Sequence, residues 1–166
     1  MPTTATARTG PILAAYRRLD RLPRVGRRLF SLAVGVQAPY FATIRPRFEE
    51  LRPGYARVRA PLRRRVKNHL GTFHAIACCN LAELAAGTAT DASLPATHRW
   101  IPKGMTVQYL AKARTDLTGT ATVEDLRGLR ADETRELVVP VEIADDHGTT
   151  VVRAEITMWI SPARGA

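Results

Sequence analysis

The chain has 166 residues, room for one compact domain, and its 45% hydrophobic content excludes a disordered polypeptide. No apolar run reaches the ~18 residues of a membrane span, and no early basic region leads into an apolar stretch with a cleavage site, so a cytoplasmic protein without a transmembrane segment is expected. The formal charge of +10 is uneven: residues 1–67 have 16 Lys and Arg against 3 Asp and Glu, a net of +13, while residues 68–166 have 9 against 12, a net of −3.

Residues 1–9 are polar and read as structureless. Residues 11–22 read as a short amphipathic helix, with Ile12, Leu13, Tyr16, Leu19 and Leu22 near one face and arginines on the other, stopped by Pro23. A second helix is predicted over 26–36 and is limited by Pro39. Together they make a basic N-terminal helical extension, residues 1–38, ahead of a main domain over 39–166. The period then changes. Segments 41–48 and 55–61 read as an antiparallel hairpin around the Pro53-Gly54 turn signal, followed by the basic run Arg63-Arg64-Arg65-Val66-Lys67.

Residues 73–87, FHAIACCNLAELAAG, are apolar nearly all the way round, the pattern of a helix buried on all sides. Thr72 is the expected N-cap and Gly87 the expected stop. Cys78 and Cys79 read as small apolar core residues, because neighbours rarely bridge and no third cysteine completes a framework or a zinc site. After a loop over 88–99, strands are predicted over 105–110, 116–124, 135–143 and 149–160, with Asp145-Asp146-His147-Gly148 as a hairpin turn. Hairpin, helix and antiparallel strands in this order give an α+β fold, a curled sheet around one long buried helix with short N-terminal helices.

Two polar residues in the apolar helix need an explanation. An ionised carboxylate buried without a partner costs several kcal/mol, so Glu83 is paired, neutralised or used. On the residue alone, a salt bridge to one of the arginines is the simpler reading, and a general base near neutral pH is the functional one. For Asn80 the simpler reading is a satisfied core amide. Just upstream, Asn68-His69-Leu70-Gly71-Thr72-Phe73-His74 leads into the helix, whose first N–H groups can hold an oxyanion or polarise a carbonyl. Taken singly, His69 and His74 read as capping or packing residues. His74 and Glu83 are nine positions apart, half a turn out of phase and ~13 Å along a helix axis, so within one helix they cannot converge on one atom. A catalytic use of both requires two copies of the chain.

The pattern Asn68-x-x-Gly71-x-x-His74, with the acid Glu83 nine residues on, resembles the motif of hotdog-fold acyl-CoA thioesterases of the phenylacetate-pathway type. The runs RVKNHLGTFHAIACCNLAELAAG and RWIPKGMTVQYLAKA are more closely similar to the hotdog family DUF4442, over residues 39–160. This resemblance implies a hotdog fold and a thioester hydrolase needing no cofactor or metal. It implies that Glu83 is general base or nucleophile, that Asn68 orients water or the thioester, that His74 opens the helix, and that the Ala75 N–H polarises the carbonyl. It also implies a homodimer or homotetramer whose acid comes from the neighbouring subunit. Ala75-Ile76 stand where the thioesterases have two glycines, and Glu83 where aspartate is commoner.

The first functional expectation is therefore an acyl-CoA thioesterase. Gly71 and Thr72 would face the substrate, and Arg65, Lys67 and Lys103 the CoA phosphates. The alternative is a non-catalytic module binding acyl-CoA or acyl-carrier thioesters. No nucleic-acid partner is expected, since no stacking aromatic set accompanies the arginines and aromatics are 6%. A membrane-surface role for the N-terminal segment rests on charge alone.

Overall fold

Proline and glycine set the first boundaries of the chain. The computed structural model describes residues 10–23, 25–126 and 128–163; the polar stretch 1–9 lies outside the described residues. Pro11 opens helix α1 (Pro11–Asp20), at a position whose N–H has no helical partner anyway. Helix α2 (Gly26–Gln37) starts at a glycine because a Cβ at Gly26 would lie 1.8 Å from the Leu19 carbonyl oxygen. Tyr16 of α1, Phe30 of α2 and Phe48 stack edge-to-face, with centroids 5.1 and 4.9 Å apart. That cluster seats both helices against the first strand.

Residues 41–48 do not form a single extended segment. Pro39–Ile44 is a 3-10 turn, Arg45 takes a left-handed conformation with φ 48, and strand β1 (Arg47–Arg52) starts only there. The reason is a tertiary one. The Asn80 side-chain amide donates to the Tyr40 carbonyl (3.3 Å) and to Thr43 Oγ1 (3.2 Å), which pins the turn to the central helix. The predicted hairpin is completed by β2 (Tyr55–Ala60), with Gly54 at φ +80 in the turn.

Four more strands follow the long helix α3 (Ala75–Ser93): β3 (His98–Tyr109), β4 (Leu117–Thr122), β5 (Arg135–Asp145) and β6 (Thr150–Pro162). The sheet is antiparallel throughout, in the order β1-β2-β4-β5-β6-β3. It curves around α3, which touches all six strands. The β5–β6 turn is built by Asp145, whose Oδ1 accepts the His147 and Thr149 N–H groups at 2.9 Å, with Gly148 at φ +80.

Small residues let helix and sheet approach. Ala82, Ala85, Ala86 and Ala89 are fully buried, and a Cβ on Gly119 of β4 would lie 3.1 Å from Leu81. Such close approach retains dispersion contacts that a void would lose. The helix runs beyond Gly87 to Ser93, past its expected stop. Gly87 is there for space: a Cβ would sit 2.6 Å from the Trp100 ring. Thr88, Thr90 and Ser93 then stay helical by donating their hydroxyls to the carbonyls of Leu84 (2.7 Å), Ala86 (2.8 Å) and Ala89 (2.6 Å). Among the described residues no helix is long and apolar enough to cross a membrane.

Candidate functional site

A tight loop leads into α3. Lys67 and Phe73 form an isolated antiparallel bridge, the His74 N–H donates to the Val66 carbonyl (2.7 Å), and the Phe73 N–H donates to the Ala113 carbonyl (2.8 Å). Between these anchors Asn68 closes the loop on itself. Its Oδ1 accepts the N–H groups of Leu70 (3.0 Å) and Thr72 (3.1 Å), and its Nδ2 donates to Thr72 Oγ1 (2.9 Å). One Nδ2 hydrogen is left over. Gly71 sits at φ +77 with open space around it, so the dihedral, not crowding, selects glycine.

The helix is capped by His74, not by Thr72. His74 Nδ1 accepts the Ile76 N–H at 3.1 Å, which assigns the ring proton of the neutral, exposed imidazole to Nε2. The Ala75 N–H, first in the helix, has no protein acceptor among the described residues. It carries the partial positive charge of the helix terminus and suits an oxyanion or a polarised carbonyl. The structure thus gathers Asn68, Gly71, Thr72, His74 and Ala75 in one loop, with exposed Arg65 and Lys67 just before it.

Glu83 is not among them. It lies ~13 Å farther along the axis and on the other side of the helix. It is half-buried, and among the described residues it has neither an ion pair nor a hydrogen bond, which corrects the simpler reading of a salt bridge. Nor is α3 covered all round: Ile76, Cys79 and Glu83, spaced by three and four, form a stripe that the chain leaves partly open. Lys103 is engaged elsewhere, paired with Glu136 and lying over the Trp159 ring on the outer face of the sheet.

Two residues beside this stripe were not singled out from sequence. Trp100 fills the space left by Gly87, and Tyr109 Oη lies 3.2 Å from Cys79 Sγ and 3.5 Å from the Ala75 carbonyl oxygen. Glu83 therefore faces the length of β3 between these two contacts. Strict alternation puts residues 100 and 109 on opposite faces of a strand. A bulge between Pro102 and Gly104 shifts the register by one and returns both to the helix side. The Tyr109 phenol is pushed up to about 12, chiefly by its hydrogen bond to Cys79 and then by burial. The buried Cys78 thiol is likewise pushed up to about 12 by desolvation. β3 is an edge strand, with Ile101 and Tyr109 exposed along it and Leu110 exposed just beyond its end.

Residues 26–160 match the family model DUF4442, a domain of unknown function. A structural-genomics crystal structure is 52% identical and superposes with a TM-score of 0.76, over 92% of this chain and 99% of that one. A Pseudomonas aeruginosa protein termed a probable thioesterase is 25% identical, with a TM-score of 0.72 over 78% of this chain and 91% of its own. A Haemophilus influenzae thioesterase, 14% identical, shares the fold with a TM-score of 0.66 over 76% of this chain and 87% of its own. The shared architecture is the hotdog fold. No curated protein sequence matches this one.

Proposed function

Because this chain belongs to the DUF4442 family and has the hotdog fold, we propose that it is a thioester hydrolase, an acyl-CoA thioesterase whose site is shared between two subunits. The observation that carries this reading is Glu83: a half-buried carboxylate without a partner among the described residues, facing a free sheet edge, half a turn and ~13 Å from the loop that holds the other candidate groups. A second copy joined along the β3 edges brings the Glu83 of one chain to the helix terminus of the other. The likeness to the P. aeruginosa protein termed a probable thioesterase supports the reaction class.

In this reading the Glu83 carboxylate takes a proton from water and the resulting hydroxide attacks the thioester carbonyl carbon. The Ala75 N–H and the helix dipole hold the oxyanion of the tetrahedral intermediate. Collapse breaks the C–S bond, and the leaving thiolate recovers the proton from Glu83. His74 Nε2–H and the remaining Asn68 Nδ2 hydrogen orient the water or the carbonyl, while Gly71 and Thr72 line the approach. Arg65 and Lys67 meet the phosphates of the carrier. Lys103 reaches them only by leaving Glu136.

A non-catalytic thioester-binding module is favoured by one feature, the Ala75-Ile76 pair, whose side chains crowd the backbone approach that glycines would open. Hydrolysis of acyl-CoAs from short to long and aryl, by wild type and Glu83→Gln in parallel, decides between them. Turnover that falls about 10²–10⁴-fold in Glu83→Gln, with thioester binding retained, is expected. Thioester binding without turnover by either protein would make this a binding module.

A further inference from the structure

Helix α2 has two apolar faces and uses one. Gly26, Phe30 and Val34 turn toward the protein, while Val25, Leu29, Leu32 and Val36, spaced by four, three and four, form a stripe on the opposite side. Leu32 is 66% and Val36 81% exposed, and Leu22 and Tyr40, in the turns just before and after the helix, are exposed as well. An aliphatic surface of this extent held in water is the mark of an interaction site, not of chance exposure.

Its surroundings are basic. Arg21 lies one turn before Val25, Arg28 one turn before Leu32, and Arg17 and Arg18 are exposed on α1. None of these four has a carboxylate partner among the described residues; Arg27, next to them, is paired with Asp20. We propose that α1 and α2 form a docking face for an anionic lipid bilayer, with the aliphatic stripe entering the headgroup–acyl boundary and the arginines meeting lipid phosphates. Aliphatic side chains flanked by arginines, with a tyrosine at the edge, match such an interface in both polarity and charge. A second copy docked stripe to stripe would set the arginines of one protomer against those of the other, and a nucleic acid offers nothing apolar for the stripe to enter. The proposal does not depend on thioester hydrolysis.

Flotation of the full chain with vesicles of phosphatidylcholine alone, and of equimolar phosphatidylcholine and phosphatidylglycerol, tests it. Binding to the anionic vesicles that weakens with added salt is expected. Leu32→Asp with Val36→Asp should reduce partitioning about tenfold or more, and Arg21→Gln or Arg28→Gln about fivefold each. Melting midpoint and turnover of a short, soluble acyl-CoA should be unchanged, since no stripe residue packs in the core or lies at the site. No binding by wild type, or equal binding by the double aspartate variant, would overturn the proposal. So would a drop in oligomeric state in that variant, which would assign the stripe to a second copy.

Discussion

The two halves of α3 treat their polar residues in opposite ways. In the C-terminal half the hydroxyls of Thr88, Thr90 and Ser93 all donate to carbonyls one turn back, and Ser93 Oγ also accepts the Gly54 N–H at 2.8 Å. In the N-terminal half, among the described residues, the Ala75 N–H is free, Asn80 Oδ1 is buried without a partner, and Glu83 has none either. Satisfied polar groups in a buried helix stabilise packing and can be explained within one chain. Unsatisfied ones are held at a cost that the single chain does not offset. Asn80 faces the Pro39–Ile44 turn; the Ala75 N–H and Glu83 are the two groups on which the chemistry is proposed.

The sharpest way to break this comparison is to separate Glu83 and His74 genetically. His74→Ser retains an N-cap for the Ile76 N–H but removes the imidazole, and Glu83→Gln removes the base. Each variant alone should lose most turnover. After subunit exchange at equal amounts, half the dimers are mixed and each has one intact site, so about a quarter of wild-type turnover should return. No recovery would mean that the two residues do not meet across subunits.

In the other half, turnover should be spared and stability affected. Gly87→Val drives a branched side chain into the Trp100 ring, which a single Cβ would already approach to 2.6 Å. Denaturant unfolding should show a loss of about 1–3 kcal/mol. A large loss of turnover with unchanged stability would instead connect Trp100 to the site.

The same division explains what could be read from the chain directly. Both hairpin turns, both N-terminal helices and the buried helix follow from local signals: Pro53-Gly54, Asp145–Gly148 and the 3.6-residue spacing of apolar groups. The loop Asn68–His74 was also legible, because a glycine flanked by polar residues before an apolar helix has few structural uses. What failed depended on partners far along the chain. Residues 41–44 turn because Asn80 reaches them, and α3 passes Gly87 because Trp100 fills the space beside it. Trp100 and Tyr109 share a face only through a bulge that alternation does not foretell. The pairing of Lys103 with Glu136 across β6 needs the sheet order.

One residue puts the comparison under strain from within. Asp91 lies in the half that should be satisfied, yet its Oδ1 is buried without a partner among the described residues. Burial holds its carboxyl above the ordinary carboxylate range, with the neighbouring Trp100 indole opposing the shift. A carboxyl raised on folding stabilises the native state least when it is ionised. Stability therefore falls as pH rises from the ordinary carboxylate range through the folded value, and the penalty is complete once pH exceeds that value. Asp91→Asn keeps the shape and removes the charge. Its melting midpoint should be higher than that of wild type at neutral pH, and the gap should close in acid below the unfolded carboxylate range. If turnover is also unchanged, Asp91 is a tolerated defect at the inert end of the helix. If turnover falls instead, unsatisfied polar groups mark function at both ends of α3, and the contrast between its halves is one of degree.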